Sequence, residues 1–300
     1  MSFFWSKPAP PHAVFACYPF GKLEKIIFPN KILNLPPPKE IKIRSRSFLP
    51  SQQLWIENVY NTLNNNTLKK AVLARECTIE CENAPDPFAV TSFLLAKAKN
   101  SIVFCFANEQ MAFLGATPEL LFSRSGRDIQ CEAVAGTSPL GRLLLNDAKA
   151  RSEILPVIEY LQHHLSPFCV SSLQISPIHI RKTSNVQHLC ATLHGTLKTA
   201  ITDEQIIQQL HPTPALCGVP KREAMHWIQQ CEPFERGLYG GVMGWSTPEE
   251  SVFAVGIRSC LIQGSTVKLY SGAGIVAGSD PLDEWEELNH KMNLYQGIFV

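Results

Sequence analysis

Charge of either sign is scarce in this 300-residue chain: 18% of the residues are charged, and 27 basic against 26 acidic side chains leave a net charge of +1. That balance excludes a bulk electrostatic attraction to nucleic acid or to an anionic membrane, but leaves room for a local basic pocket that holds a small anion. Ten cysteines are present, yet none form a Cys-x-x-Cys pair, and the nearest two, Cys77 and Cys81, fall in a segment that reads as a strand. This removes zinc-site spacing and the dense disulfide framework of a small secreted domain. Free buried thiols in a reducing cytoplasm are the expectation. Long apolar runs are also missing. No stretch is long enough to span a bilayer, and residues 1–20, despite Phe3, Phe4 and Trp5, lack the charged start and apolar run of a signal peptide. There is no Walker loop, no Gly-x-Gly-x-x-Gly spacing and no detectable repeat. What remains is an ordinary globular composition, 45% hydrophobic, at a length that buries a sizeable core.

Residues 1–50 read as a short irregular extension, with proline at 8, 10, 11, 19, 29, 36, 37, 38 and 50 and two apolar runs, 14–17 and 26–28, that fit edge strands. The main body is expected over residues 51–300. Ser51 caps a helix with Trp55, Val59 and Leu63 on one face, ended by Asn64-Asn65-Asn66. A strand follows from 69 to 79. On it Lys70, Val72 and Ala74 share a face. A lysine at the start of a buried strand has two readings: it reaches to solvent, or it is partly desolvated and its neutral form serves as a base. A helix over 86–99, a hairpin of 101–107 with 111–115, and a strand over 128–134 come next. Between them Glu119 follows Pro118 in an apolar stretch. It is either a proton donor with a raised pKa or a turn carboxylate satisfied by backbone amides.

A long helix over 146–165 is apolar at Ile154, Ile158, Leu161 and Leu165, with Glu153 beside that face and Pro156 predicting a kink. Strands at 176–180 and 186–195 follow, then a helix at 201–210, an ordered loop rich in proline to Pro220, and a helix to 230. Three apolar strands, 239–245, 252–262 and 267–270, are predicted to form an antiparallel meander. Hairpin strands in blocks with helices between them indicate an α+β fold with mostly antiparallel sheets. The stretch from Tyr270 to Lys291 reads as the end of a strand, a glycine turn with Gly272, Gly274 and Gly278, and a helix started by Asp280-Pro281. In that helix Glu284, Glu287 and Lys291 share one face, which suits either a divalent cation with an anionic ligand or a solvated surface with an ion pair.

Nine segments in this order together resemble the chorismate-utilising enzymes, the family that includes isochorismate synthase, salicylate synthase and the large subunits of anthranilate and aminodeoxychorismate synthases. They are Lys70-Ala-Val-Leu-Ala-Arg75, Phe113-Leu-Gly-Ala-Thr-Pro-Glu119, Ala135-Gly-Thr137, Val186-Gln-His-Leu189, Leu210-His-Pro-Thr213, Glu232-Pro-Phe234, Tyr239-Gly-Gly-Val-Met-Gly-Trp245, Gly256-Ile-Arg258 and the stretch from Tyr270 to Lys291. The resemblance implies an α/β sandwich, two facing antiparallel β-sheets flanked by outer helices, with the active site in a cleft between the halves of a chorismate-binding catalytic domain over 51–300. It also implies roles. Lys70 matches the lysine that activates water, and Glu119 the acid that protonates the departing C4 hydroxyl. Glu153 and Glu287 match Mg²⁺-binding glutamates, with Glu284 near the ion or its waters. Arg258 and Lys291, with backbone amides around Gly272 and Gly274, match the groups that hold the substrate carboxylates. Gly136, Thr137, His188 and Tyr239 line the same pocket.

Within the family, a lysine at position 70 argues for water over ammonia as nucleophile. Ala215, where salicylate synthases tend to carry threonine, argues for stopping at isochorismate. The expectation is therefore an isochorismate synthase that works as a monomer in the cytoplasm, without a glutaminase subunit, and supplies menaquinone or siderophore biosynthesis. A salicylate synthase and a non-catalytic chorismate-binding relative are the alternatives. Two departures stand out: an N-terminal region shorter than in typical members, and Pro156 in the helix that carries Glu153.

Overall fold

A computed structural model describes the chain except residues 1, 11, 23–24, 29–34 and 200. The prolines at 11 and 29, part of the irregular reading of the N-terminal region, lie outside the described residues. Two antiparallel sheets face each other. The first holds eight strands: β1 (Ser2–Trp5), β4 (Ile43–Leu49), β5 (Lys70–Cys81), β6 (Ile102–Ala107), β7 (Ala112–Thr117), β13 (Gly218–Val219), β16 (Ser259–Gln263) and β17 (Thr266–Ile275). The second holds nine: β2 (Val14–Tyr18), β3 (Ile26–Phe28), β8 (Leu120–Ser125), β9 (Asp128–Pro139), β10 (Gln174–Ile175), β11 (His179–Lys182), β12 (Val186–Thr196), β14 (Val242–Ser246) and β15 (Glu250–Val255). Six α-helices complete the described chain: α1 (Gln52–Leu63), α2 (Pro87–Lys97), α3 (Ala148–Leu165), α4 (Asp203–Leu210), α5 (Lys221–Cys231) and α6 (Pro281–Met292). The α+β fold with antiparallel sheets expected from the hairpin blocks, and the sandwich that the resemblance implies, are observed.

Side-chain alternation explains the layering. On β6, Ile102, Phe104 and Phe106 point inward and meet Phe15, Cys17, Met243 and Trp245 of the second sheet, forming the inter-sheet core. The alternate residues Val103, Cys105 and Ala107 point outward and are covered by Val90 and Leu94 of α2. On the far side, Ile154, Val157 and Leu161 of α3 and Ile206 and Leu210 of α4 cover the outer face of the second sheet. Trp55 of α1, Ile228 of α5 and Trp285 and Leu288 of α6 close over Leu73, Ala273 and Ile275. The helix starts follow the expected chemistry. The Ser51 side chain accepts from Leu54 N–H, and Asp280 accepts from the N–H groups of Leu282 and Asp283 ahead of Pro281. All ten cysteines are free and buried. Among the described residues no helix is long and apolar enough to cross a membrane.

Four expectations are corrected. Residues 1–50 are not an irregular extension: β1 pairs with β6, β2 with β14 and β3, and β4 with β5, so this region contributes to both sheets. The strand expected over 252–262 is two strands in different sheets. The chain leaves β15 at Val255, crosses at Gly256–Arg258, and enters β16 beside β7. The glycine turn begins later than expected. Gly272 and Gly274 lie inside β17, opposite Ala74 and Val72, and only Gly278 is in the turn. The strand at 176–180 is two short strands, β10 and β11, both on β12. Helix α3 runs unbroken across Pro156. Proline removes one hydrogen bond in the turn after Glu153 but does not unseat it, and Glu153 stays buried.

Candidate active site

The first strand of the site is β5. Among the described residues its central edge carries no neighbouring strand: β13 pairs only with Lys70 and Ala71, and β4 pairs with β5 only from Glu76 to Cys81. The intervening backbone groups are satisfied by side chains and a loop. Arg236 donates to Val72 O at 2.6 Å, Ala74 N–H donates to Glu232 Oε1 at 2.7 Å, and Val72 N–H donates to Cys217 O at 2.7 Å. Arg236 and Glu232 are themselves a buried pair at 2.5 Å. This bolt leaves Lys70 and Val72 facing a cavity between the sheets, while Leu73 faces the helices.

Lys70 and Glu119 both line that cavity, and both are buried, at 3% and 4% exposure. Lys70 Nζ donates to the Glu153 carbonyl at 3.2 Å. Burial lowers the Lys70 pKa, against the raising effect of Glu153 and Glu119. Glu119 sits where the chain crosses from β7 to β8. Its N–H donates to Thr117 Oγ1 at 3.1 Å and its carbonyl accepts from Val255 N–H at 3.0 Å. Burial raises the Glu119 carboxyl to about 8, with Lys70 opposing the shift. A lysine pushed toward its neutral form and a carboxyl pushed toward its protonated form therefore share one cavity. Burial is the first cause of both shifts.

At another wall, Arg258 lies in the crossing between the sheets with φ 52°, a left-handed conformation uncommon outside glycine. Its carbonyl is held there by Ala116 N–H at 3.1 Å and the Tyr295 hydroxyl at 3.0 Å. The guanidinium Nη2 lies 3.1 Å from His188 Nε2, and His188 Nδ1 lies 3.1 Å from Thr137 Oγ1. An arginine only donates, so Nε2 is the acceptor and the imidazole proton sits on Nδ1. Burial, then the charges of Arg258 and Lys291, hold His188 well below its usual pKa, which keeps it neutral. Thr137, His188 and Arg258 thus form one chain aimed along the cavity, with Gly136 beside it. Tyr239 stacks on Tyr270 with ring centroids 5.1 Å apart.

Gly272 and Gly274 form the floor by leaving space. A Cβ on Gly272 would lie 2.8 Å from the Tyr239 hydroxyl. One on Gly274 would lie 2.9 Å from Lys70 Cε and 3.2 Å from Glu153 Oε2. Lys291 Nζ donates to the Gly272 carbonyl at 2.7 Å and to Glu287 at 2.6 Å.

The three remaining carboxylates converge from α3 and α6 but do not face the cavity equally. Glu153 lines both the cavity and an adjoining cleft, Glu287 lines only that cleft, and Glu284 lines neither. Glu284 is 1% exposed and pairs with Lys149 at 2.5 Å. Burial and the Glu287 charge raise Glu153 to about 7, and burial then Glu287 raise Glu284. Burial works against the Lys149 charge, but Glu284, Glu153 and Glu287 together raise its pKa. Carboxylate oxygens are hard donors of the kind Mg²⁺ prefers, and the repulsion on Glu153 is what a cation would relieve. Among the described residues, however, no three His, Cys, Asp or Glu side chains are grouped closely enough to hold an ion. The glutamates offer a partial set, which suits an ion that keeps waters and takes oxygens from its substrate.

Sequence reasoning missed Lys149, Arg236 and the cavity-lining Ser271. Lys149 carries a usable signal, lying four residues before Glu153 on the same helix face. Arg236 likewise follows Glu232 at i+4.

The cavity between the two antiparallel sheets thus brings together a buried lysine, a buried glutamate with a raised pKa, and the cationic side chains of Arg258 and Lys291. The chain belongs to the chorismate binding enzyme family, whose sequence profile matches residues 29–298. It is 36% identical over 268 residues to isochorismate synthase 2, chloroplastic, of Arabidopsis thaliana, covering 84% of this chain and 48% of that protein. The structure of MenF, the menaquinone-specific isochorismate synthase of Escherichia coli, superposes with a TM-score of 0.82 at 30% identity, covering 90% of this chain and 66% of that one. DhbC from Bacillus anthracis superposes with a TM-score of 0.86 at 28% identity, covering 94% and 82%. The chain spans about half the length of the curated relatives it matches.

Proposed function

We propose that this protein is a Mg²⁺-dependent isochorismate synthase, converting chorismate to isochorismate by attack of water at C2 with loss of the C4 hydroxyl. The observation that carries this reading is the pairing of Lys70 and Glu119 in one cavity, with pKa values displaced in opposite directions by burial. Neutral Lys70 takes a proton from the attacking water. Both ring double bonds shift by one position as the new C2–O bond forms and the C4–O bond breaks. Glu119 gives its proton to that oxygen, which leaves as water. One water enters and one leaves, so substrate and product are isomers.

Charge accounting supports the dianionic substrate. Beside Lys70 and Glu119, three basic side chains, Lys149, Lys291 and Arg258, stand against three carboxyl groups, Glu153, Glu284 and Glu287. A dicarboxylate and a divalent cation then enter together without leaving net charge in a buried site. Glu153 and Glu287 would hold Mg²⁺, with Glu284 acting through Lys149 or through waters. The ion would polarise the substrate carboxylate and ring toward attack. Arg258, its acceptor His188 held neutral, suits bidentate capture of a carboxylate. Ala215 lines the cavity with a methyl group and offers no hydroxyl to a second, pyruvate-eliminating step. Water as nucleophile requires no glutaminase subunit, and we place the enzyme as a monomer in the cytoplasm, upstream of menaquinone or siderophore formation.

The test is chorismate with Mg²⁺, and separation of the products by chromatography. Isochorismate alone is the expected result. Salicylate with pyruvate would move the chain to the lyase class, an ammonia-dependent amine would remove Lys70 from its role, and chorismate binding without turnover would make this a binding protein.

A further inference from the structure

Across Pro118 from the cavity, in an outer groove that Lys70 does not line, lies a pair of charges that the reaction does not use. Arg181 of β11 and Glu132 of β9 meet through the second sheet, where β11 and β9 flank β12. Arg181 Nη1 donates to Glu132 Oε2 at 2.6 Å and Nη2 donates to Oε1 at 2.8 Å, a two-pronged pair. The same Nη1 also donates to the Pro118 carbonyl at 2.9 Å. Pro118 lines both the cavity and an outer groove that contains Arg181 and Glu132, so the wall between them is one residue thick. Proline has no N–H and a fixed φ, so its carbonyl is the handle by which this crossing can be held.

We propose that Arg181 and Glu132 are positioning residues for Glu119: their forked pair fixes the Pro118 carbonyl, and with it the carboxyl one residue later, and presents a balanced charge behind it. The inference rests on the reading of Glu119 as the acid. The groups that face Glu119 come from every element around it: Lys70 of β5, Glu132 of β9, Arg181 of β11, Cys190 of β12, Tyr239 ahead of β14 and Lys291 of α6. After burial and Lys70, the next influences are Glu132, which raises the Glu119 pKa, and Arg181, which lowers it. The two act in opposite directions as long as both are present. Removing one leaves the other facing a desolvated carboxyl, where a single charge acts with little screening.

The experiment follows the Glu119 carboxyl by ¹³C NMR in the full chain, without substrate or metal, with glutamate labelled and the signal assigned through Glu119→Gln. Arg181→Met should raise the midpoint, and Glu132→Gln should lower it, each by about one pH unit. The double variant should return close to the parent. Arg181→Lys keeps the charge but not the fork, so its midpoint should stay near the parent while kcat falls and KM holds. It also serves if Arg181→Met fails to fold. Single variants that shift the midpoint in the same direction, or not at all, overturn the proposal. Opposite shifts that the alkaline limb of kcat/KM does not follow would leave the pair standing and retire Glu119 as the acid.

Discussion

Two buried carboxyl groups line the same cavity and are displaced the same way, first by burial, but with different charges beside them. Glu119 reaches about 8 chiefly through burial, with its nearest strong influence a cation, Lys70. Glu153 reaches about 7 through burial and then through the negative charge of Glu287. Loss of water is the first cause of both shifts; the next influence is an opposing cation for Glu119 and a like charge, Glu287, for Glu153. On the proposed reading, a cation entering from the adjoining cleft would relieve the Glu287 contribution to Glu153, leaving Glu119 as the proton donor at the other end of the cavity.

The predictions test that division. The largest effects belong to the acid–base end. Lys70→Ala and Glu119→Gln should each lower kcat by roughly a hundred- to ten-thousand-fold while thermal unfolding stays cooperative. Retained turnover in either would remove that residue from the chemistry. Gly274→Ala pushes a methyl group against Lys70 Cε and Glu153 Oε2, joining the two ends sterically. A displacement of this size should cost about a hundredfold in kcat/KM. An unchanged rate would show that the floor of the cavity gives way. Glu287→Gln should weaken Mg²⁺ binding by about tenfold or more in calorimetry and leave the alkaline limb of the rate profile where it was. The smallest effect is that limb itself. The acid form of Glu119 is full below its folded pKa and is lost as pH rises through it, so kcat/KM should fall above about pH 8. Glu132→Gln should move the limb down, and Glu287→Gln should not.

The sequence made the ends of elements readable wherever local chemistry decides them. Ser51 and Asp280-Pro281 start helices because a side-chain oxygen and a fixed φ are sufficient. The cluster of Glu284, Glu287 and Lys291 followed from helical spacing, and the i,i+4 ion pair between Glu287 and Lys291 is present. The N-terminal strands were partly hidden. β4 reads Ile-Arg-Ser-Arg-Ser-Phe-Leu and is largely exposed, so it lacks the apolar alternation of a strand with a buried face. The crossing at Gly256–Arg258 was hidden for the opposite reason. It interrupts an apolar run that continues on both sides, and which sheet claims each half is decided by β8 and β7, far away in sequence. The same holds for Arg181 and Glu132, 49 positions apart and joined only when β9 and β11 fold onto either side of β12. Charge pairs formed across a sheet leave no local pattern.

The account stands most directly on where the new oxygen comes from. Chorismate and Mg²⁺ should be turned over in water enriched in ¹⁸O, and the isochorismate analysed by mass spectrometry with fragment assignment. Activation of water by Lys70 predicts that each product molecule carries one solvent oxygen, in the C2 hydroxyl. Product in which the original C4 oxygen reappears at C2 without solvent label would contradict it.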